Sequence, residues 1–415
     1  MSSAFLVKEH LFEGQHVREY PRATAHSQDD GLYLSVKQYI PKDNLNAQPG
    51  DITIIGGHAN GFVKELYEPL WEDLVKALHI HGIRVRGIWV ADVAWQGQSA
   101  IVNGDSVGND PSWHDHPRDL LAMVNHFRKE MPRPLVGMGH SFGASMIVEL
   151  ATIHPRLFQH LVLLDATISR FAGSGPSYSF SPMTLSTFRR DLWPSRQEAE
   201  ASFRRSNFYK TWDPRVFDAW VKYGLRDTPT KIYPQPGQVT LTTTKHMEVF
   251  TYNRPVAQAY DQDGRRVVDS SKVPDISDAM ANAPFYRAEP LQIAEKLPSL
   301  RPSVLWLYGS KSEIGTPVVR KDNVGRCGAG VGGSGGVQAG MVKDVVVEGF
   351  GHLFPMEVTT LTAEHAAASI VPAVERWRRE EAEFQAWAQK PDIEKQVIDD
   401  DFKKKVESLK AKPKI

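Results

Sequence analysis

An α/β architecture, with a mostly parallel sheet covered by helices on both faces, follows from two observations. Short apolar, β-branched runs alternate with amphipathic helical stretches along residues 51–165, the rhythm of parallel strands joined by crossover helices. Within that rhythm Pro134–Ala144 reads PLVGMGHSFGA. This is an apolar strand that runs into Gly139-His140-Ser141-Phe142-Gly143 and then into an apolar helix. G-x-S-x-G between a strand and a helix is the context in which a serine is held on a sharp turn with its hydroxyl exposed. The flanking glycines are required where a Cβ would collide with a neighbouring strand or helix. The start of the following helix brings unpaired N–H groups and a positive dipole end beside the serine.

The elements follow in order. Phe5–Glu19 and Leu32–Tyr39 alternate apolar and polar residues and predict two antiparallel strands. Asp51–Gly57 (DITIIGG) is a buried strand. The next helix carries Leu70, Leu74 and Leu78 at four-residue spacing and stops at Gly82. Ile83–Val90 is the following strand, and His114–Met131 is a helix with Leu120, Val124 and Phe127 on one side. After Leu135–Met138 and the serine turn, a helix runs to about His154, and Leu161–Leu164 is another buried strand.

Beyond Asp165 the rhythm breaks until Ser303–Tyr308 (SVLWLY). The intervening segment is dense in aromatic residues, among them Phe171, Tyr178, Phe180, Phe188, Trp193, Phe203, Trp212 and Trp220. Gln197–Phe208 and Val216–Tyr223 read as helices, and Lys231–Tyr252 as irregular or extended. A segment too long for a loop, with its own apolar face, is expected to form a lid over the carboxyl edge of the sheet. Gly325–Gly340 reads as a flexible loop, because it lacks the G-K-[ST] ending of a phosphate cradle. Asp344–Val347 is the last strand and Ala363–Ala388 a helix. The expected organisation is a core of residues 1–165 and 300–390, a lid of 166–299, and a charged C-terminal helix and tail of 391–415.

Composition narrows the class. The 415 residues are too many for one small core, and 41% hydrophobic with 24% charged residues is ordinary globular usage. Forty-nine basic residues balance 49 acidic ones, which argues against nucleic acid as a partner. The chain has one cysteine, Cys327, so no internal disulfide forms, in keeping with a reducing compartment. No stretch approaches the ~20 apolar residues of a membrane span. The N-terminus MSSAFLVKEHLFEG lacks the layout of a signal peptide, and a soluble intracellular protein is expected.

A serine hydroxyl becomes a nucleophile only beside a base, and the base needs an orienting acid. In this architecture they follow in the order Ser, acid, His. His352, just after the last strand between Gly351 and Leu353, has the place and the order of the base for Ser141. Two carboxylates compete for the acid. Asp165 closes the strand LVLL, and Glu313 follows the later strand in GSKSE. The commoner position, three residues past that strand's glycine, holds Ser312, so Asp165 is preferred and Glu313 is the alternative. The oxyanion needs two N–H donors. One is expected from Phe142 and the other from Asn60, with Phe62 as the fallback. His114-Asp115-His116 begins a helix without a third ligand and reads as structural. Arg189-Arg190 and Arg204-Arg205 read as a solvated lid face, with phosphates of an acyl carrier as the alternative role. No cofactor and no metal are expected.

The stretches HVREYP, KELYEPLWEDL, RGIWVADVA, DHPRDLL, NHFRKEMPRPLVGMGHSFG and HPRLFQHLVLLD carry a resemblance. Across Asp51–Ala388, outside the lid, the chain resembles the α/β-hydrolase superfamily. Within it, the chain is similar to a fungal secondary-metabolite group that includes the acyl-CoA hydrolase of mycophenolic acid biosynthesis and the hydrolases of AK-type toxin clusters. His58-Ala59-Asn60 departs from the His-Gly-x of many hydrolases. The resemblance implies a peroxisomal, metal-free serine hydrolase acting on acyl-CoA thioesters or esters of hydrophobic polyketide or fatty-acyl type. It also places the acid at Asp165. Pro413-Lys414-Ile415 is a degenerate relative of the Ser-Lys-Leu peroxisome address. An import receptor and a peroxisomal matrix location are therefore expected, with the cytoplasm otherwise. Carboxylic-ester or lactone hydrolysis and acyl transfer share the same acyl-enzyme. A ligand-binding protein without catalysis is the alternative of another class.

Overall fold

A computed structural model of the chain describes residues 4–171, 181–280 and 284–410. Its contacts divide the chain into Met1–Val371 and Pro372–Ile415. In the first unit, β1 (Phe5–Glu13) and β2 (Tyr33–Pro41) pair as an antiparallel hairpin. The predicted first strand ends six residues early, where the chain leaves the sheet. β3 (Ile52–Gly57), α1 (Glu68–Ile80) and β4 (Val85–Ala91) come next, followed by α2 (Gly97–Asn103) and α3 (Asp115–His126). β5 (Leu135–His140), α4 (Phe142–Ile153) and β6 (His160–Leu164) complete the first half. The sheet has eight strands in the order β1-β2-β4-β3-β5-β6-β10-β11, where β10 is Ser303–Gly309 and β11 is Val342–Val347. From β4 onward every pairing is parallel. This is the mostly parallel sheet that the strand–helix alternation predicts.

Runs such as ITIIGG and HLVLL are buried at every residue, as strands covered on both faces must be. The core gathers Trp89, Leu120, Met123, Ile147, Leu161, Trp306 and Tyr308. Cys327 lies in it, fully buried, and burial pushes its thiol up to about 12.

Between β6 and β10 the described residues form α5 (Pro182–Phe188), β7 (Leu192–Trp193), α6 (Arg196–Arg205), α7 (Pro214–Tyr223), β8 (Leu225–Asp227), β9 (Val239–Leu241), α8 (Lys245–Tyr252) and α9 (Glu289–Lys296). The three short strands make a separate sheet, β7-β9-β8. Lys231–Tyr252, expected to be irregular or extended, contains α8. Thr244 caps it, its side chain accepting from the Met247 N–H, a start signal that the β-branched TLTTT run masks. Tyr178 and Phe180 lie outside the described residues. α10 (Pro317–Arg326) precedes the glycine-dense loop. α11 (Phe354–Glu357) and the start of α12 (Thr359–Ala388) follow β11.

In the second unit the remainder of α12 is followed by α13 (Asp392–Gln396) and α14 (Asp400–Lys410). Charged side chains pair at helical spacing, as in Lys390–Glu394 and Lys403–Asp400. Pro413, Lys414 and Ile415 lie outside the described residues. Among those described, no helix is long and apolar enough to cross a membrane.

Candidate active site

The serine turn is built by glycines that touch. Gly57 and Gly139 are paired across β3 and β5. A Cβ on Gly143 would lie 2.4 Å from Gly57 backbone atoms, and one on Gly139 would lie 2.6 Å from backbone of Gly143. Backbone meets backbone at all three, so only glycine fits. This approach seats the first turn of α4 against the end of β3. Ser141 then takes φ 56° and ψ −120°, a region that side chains rarely adopt. Its N–H donates to the Leu164 carbonyl at 2.8 Å, which ties the turn to β6.

Asp165 has the other positive φ among the described non-glycine residues, 44°. Positive φ at these two residues, alone among the described non-glycine ones, places the strain at one site. The Asp165 N–H donates to the Leu307 carbonyl of β10 at 2.8 Å, and the side chain is fully buried. The structure brings Ser141, His352 and Asp165 together. His352 Nδ1 lies 2.7 Å from Asp165 Oδ2, and His352 Nε2 lies 2.9 Å from Ser141 Oγ. Because a carboxylate only accepts, Nδ1 carries the proton, and Nε2 is the acceptor for the serine O–H. Glu313 is exposed and does not share this array.

Thr167 stands beside the array, unforeseen from the sequence. Its Oγ1 is 3.1 Å from Ser141 Oγ. With the serine proton directed to His352, Thr167 is the donor. Its only sequence signal is its place two residues past the strand-ending aspartate.

In the loop after β3, hydrogen bonds separate the candidate donors. The Ala59 N–H donates to Tyr67 Oη at 2.9 Å, the Gly61 N–H to Gln96 Oε1 at 2.9 Å, and the Phe62 N–H to the Ala59 carbonyl at 3.2 Å. Phe62, the fallback donor, is thus already engaged. Among the described residues the Asn60 N–H has no acceptor, and the Phe142 N–H opens α4, where no intrahelical acceptor exists. The Asn60 side chain is pinned: its Nδ2 donates to the Glu248 carbonyl of α8 at 3.0 Å, and its Oδ1 accepts from Gln96 Nε2 at 2.6 Å.

Other flagged residues serve elsewhere. Arg189 pairs with buried Glu248, and Arg204 pairs with Glu200 while lying over the Phe217 ring. Asp115 is buried, and burial pushes its carboxyl up to about 7. Nearby Asp119 pushes the same way, and Arg18 opposes. His114 lies 3.3 Å from Glu149. Among the described residues, several aromatics of α6, α7 and the turn between them pack on one another and on Phe62. Trp212 and Trp220 set their rings 5.5 and 6.2 Å from that of Phe62, and Phe203 and Tyr209 pack on Trp220.

A strained serine between a parallel strand and a helix, in line with a histidine after the last strand, defines a hydrolase fold. The chain belongs to the α/β-hydrolase family, whose model matches residues 57–365, and is an enzyme of that type. It is 40% identical over 404 residues to the type I acyl-CoA thioesterase mpaH of Penicillium roqueforti, covering 92% of this chain and 91% of that one. It is 41% identical over 401 residues to mpaH' of Penicillium brevicompactum, with 92% and 90% covered. An abhydrolase domain-containing protein of Alternaria alternata, AFT2-1, is 27% identical over 55% of this chain and 79% of its own. Among solved structures, the peroxisomal α/β-hydrolase Lpx1 of Saccharomyces cerevisiae superposes with a TM-score of 0.67 at 15% identity. That match covers 96% of this chain and 100% of that one, and it speaks for the fold.

Proposed function

We propose that this chain hydrolyses the thioester of a hydrophobic acyl-CoA through an acyl-enzyme on Ser141. The observation that carries the reading is the unbroken hydrogen-bond line from Ser141 Oγ through His352 to Asp165. Relatives named acyl-CoA thioesterases, at 40% identity over nearly the whole chain, support the substrate class.

In this mechanism Ser141 Oγ attacks the thioester carbon while His352 Nε2 takes its proton. The oxyanion that forms is held by the N–H groups of Phe142 and Asn60. Asp165 keeps Nδ1 protonated and stabilises the imidazolium. The C–S bond breaks, and the departing sulfur takes the proton from Nε2 as CoA leaves. Water, deprotonated by the same nitrogen, then attacks the acyl-enzyme. The serine regains its proton, and the free acid leaves. Placement in fungal secondary metabolism belongs to the same proposal. So does a peroxisomal matrix location read by an import receptor from Pro413, Lys414 and Ile415.

A released-thiol assay across a panel of acyl-CoAs, run beside fluorophosphonate labelling, tests the chemistry. Turnover and labelling that vanish together in Ser141→Ala are expected; full turnover by that variant overturns the reading. For location, a fluorescent fusion that loses its peroxisomal pattern when the last three residues are removed is expected, and an unchanged pattern overturns it.

A further inference from the structure

The three parts that must meet the transition state come from separate loops, after β3, β5 and β11. A line of buried side chains joins them. The Ala59 N–H donates to Tyr67 Oη at 2.9 Å, Tyr67 Oη lies 2.9 Å from His140 Nδ1, and His140 Nε2 lies 3.0 Å from the His352 carbonyl oxygen. Tyr67 and His140 are 1% and 0% exposed.

Proton counting gives this line one direction. Tyr67 Oη accepts from Ala59, so its single proton goes to His140 Nδ1. His140 is then the Nε2–H tautomer, and that proton goes to the His352 carbonyl. Each donor has an acceptor and the imidazole is neutral. Burial, and the His352 ring 5.0 Å away, push the His140 pKa well below the ordinary histidine value. Burial likewise pushes the Tyr67 hydroxyl upward, which keeps its proton in place. A neutral ring matters here, because His352 becomes a cation during the reaction and a second cation beside it would oppose that charge.

We propose that Tyr67 and His140 are positioning residues that fix the Asn60-bearing loop and the main chain of His352 relative to one another. The inference rests on the serine-hydrolase reading above. His140 is one of the x positions of G-x-S-x-G, and in this chain its two ring nitrogens reach Tyr67 on one side and the main chain of His352 on the other. Neither residue touches the reacting atoms, so their loss acts on transition-state geometry and leaves ground-state binding largely unchanged.

The test compares Tyr67→Phe, His140→Ala and the double variant with the wild type. It uses the rate of fluorophosphonate labelling at Ser141 and the kcat and KM for the best acyl-CoA of the panel. Tyr67→Phe leaves the Ala59 N–H and His140 Nδ1 unpaired, so a kcat and labelling rate lower by about tenfold or more are expected, with KM within about threefold. The double variant is expected to be no slower than the slower single one, because either change breaks the same line. His140→Gln, whose amide N–H reaches toward the His352 carbonyl, is expected to recover part of the loss. Multiplying effects, a loss confined to KM, or a Tyr67→Phe labelling rate equal to the wild type overturns the proposal. Tyr67→Phe alone decides if His140→Ala does not fold. A wild type that resists labelling overturns the functional reading itself, whereas a labelled wild type with unaffected variants overturns only the positioning role.

Discussion

Gly315 lies directly over the carboxylate of Asp165: a Cβ built on it would come within 2.4 Å of Asp165 Oδ1. The loop after β10 thus contributes no acid to the array, yet it forms the wall against which the acid rests. Asp165 has little freedom to retreat, being fully buried and already at φ 44°. Gly315→Ala is expected to turn the carboxylate away from His352 Nδ1 and lower kcat by about tenfold or more. Acyl-CoA turnover measured beside thermal unfolding checks this, with activity falling well before the fold is lost.

The same geometry separates the two candidate acids. Asp165→Asn keeps the shape of the side chain but lets the histidine adopt the wrong tautomer. A loss of kcat of about 10⁴-fold is expected, by analogy with the aspartate-to-asparagine change in such arrays. Glu313→Gln, at an exposed position, is expected to leave turnover unchanged. Steady-state kinetics of the two variants distinguish the roles.

Burial of Asp115 is expected to make the stability of the chain sensitive to pH. Its folded pKa is raised from 3.8 to about 7, so the folded chain binds a proton that the unfolded chain has lost between those values. Stability is therefore lost as pH rises from about 4 to about 7, and the contribution is flat above that. Asp115→Asn keeps an acceptor for the Gln15 amide and the Glu19 N–H and removes the charge. The variant is expected to gain on the wild type across that window, by up to roughly 4 kcal/mol at about 1.4 kcal/mol per pKa unit. Urea unfolding from pH 4 to 8 reads the divergence.

The aromatic cluster is a packed core in its own right. Trp220 is 2% exposed and touches Phe62, Phe203, Tyr209 and Trp212. Trp220→Ala is expected to cost about 3–5 kcal/mol. Phe188, 82% exposed, is expected to tolerate alanine within about 0.5 kcal/mol. Chemical denaturation of both variants checks the contrast.

What the sequence reveals here depends on how local the cause is. Gly139 and Gly143 announce the turn because the collision they avoid lies within a few residues. Asp165 and His352 are legible because each follows closely on the end of an apolar run, LVLL in one case and VVV in the other. Asn60 is different. Its position is suggested by the loop after β3, but its amide is singled out only by the partners that its neighbours find in Tyr67, Gln96 and Ala59. Those bonds span up to 35 residues of chain and follow no period. Thr167 and His140 escape a sequence reading for the same reason, since their partners are brought in by the sheet. Aromatic density between β6 and β10 foretells burial there, but it does not reveal that Phe203, Tyr209, Trp212 and Trp220 would gather into one cluster with Phe62.

The solitary thiol has a practical meaning for the proposed chemistry. An enzyme that liberates CoA is followed with reagents that react with thiolates, and any reactive cysteine of its own would consume them. Cys327 is sealed in the core, with its ionisation moved to about 12, so the thiolate needed for that reaction is scarce at neutral pH. The folded chain is therefore expected to be silent to such a reagent, so that colour that develops reports product. A signal appearing without acyl-CoA reports unfolding instead, which makes the same cuvette a gauge of the enzyme's integrity.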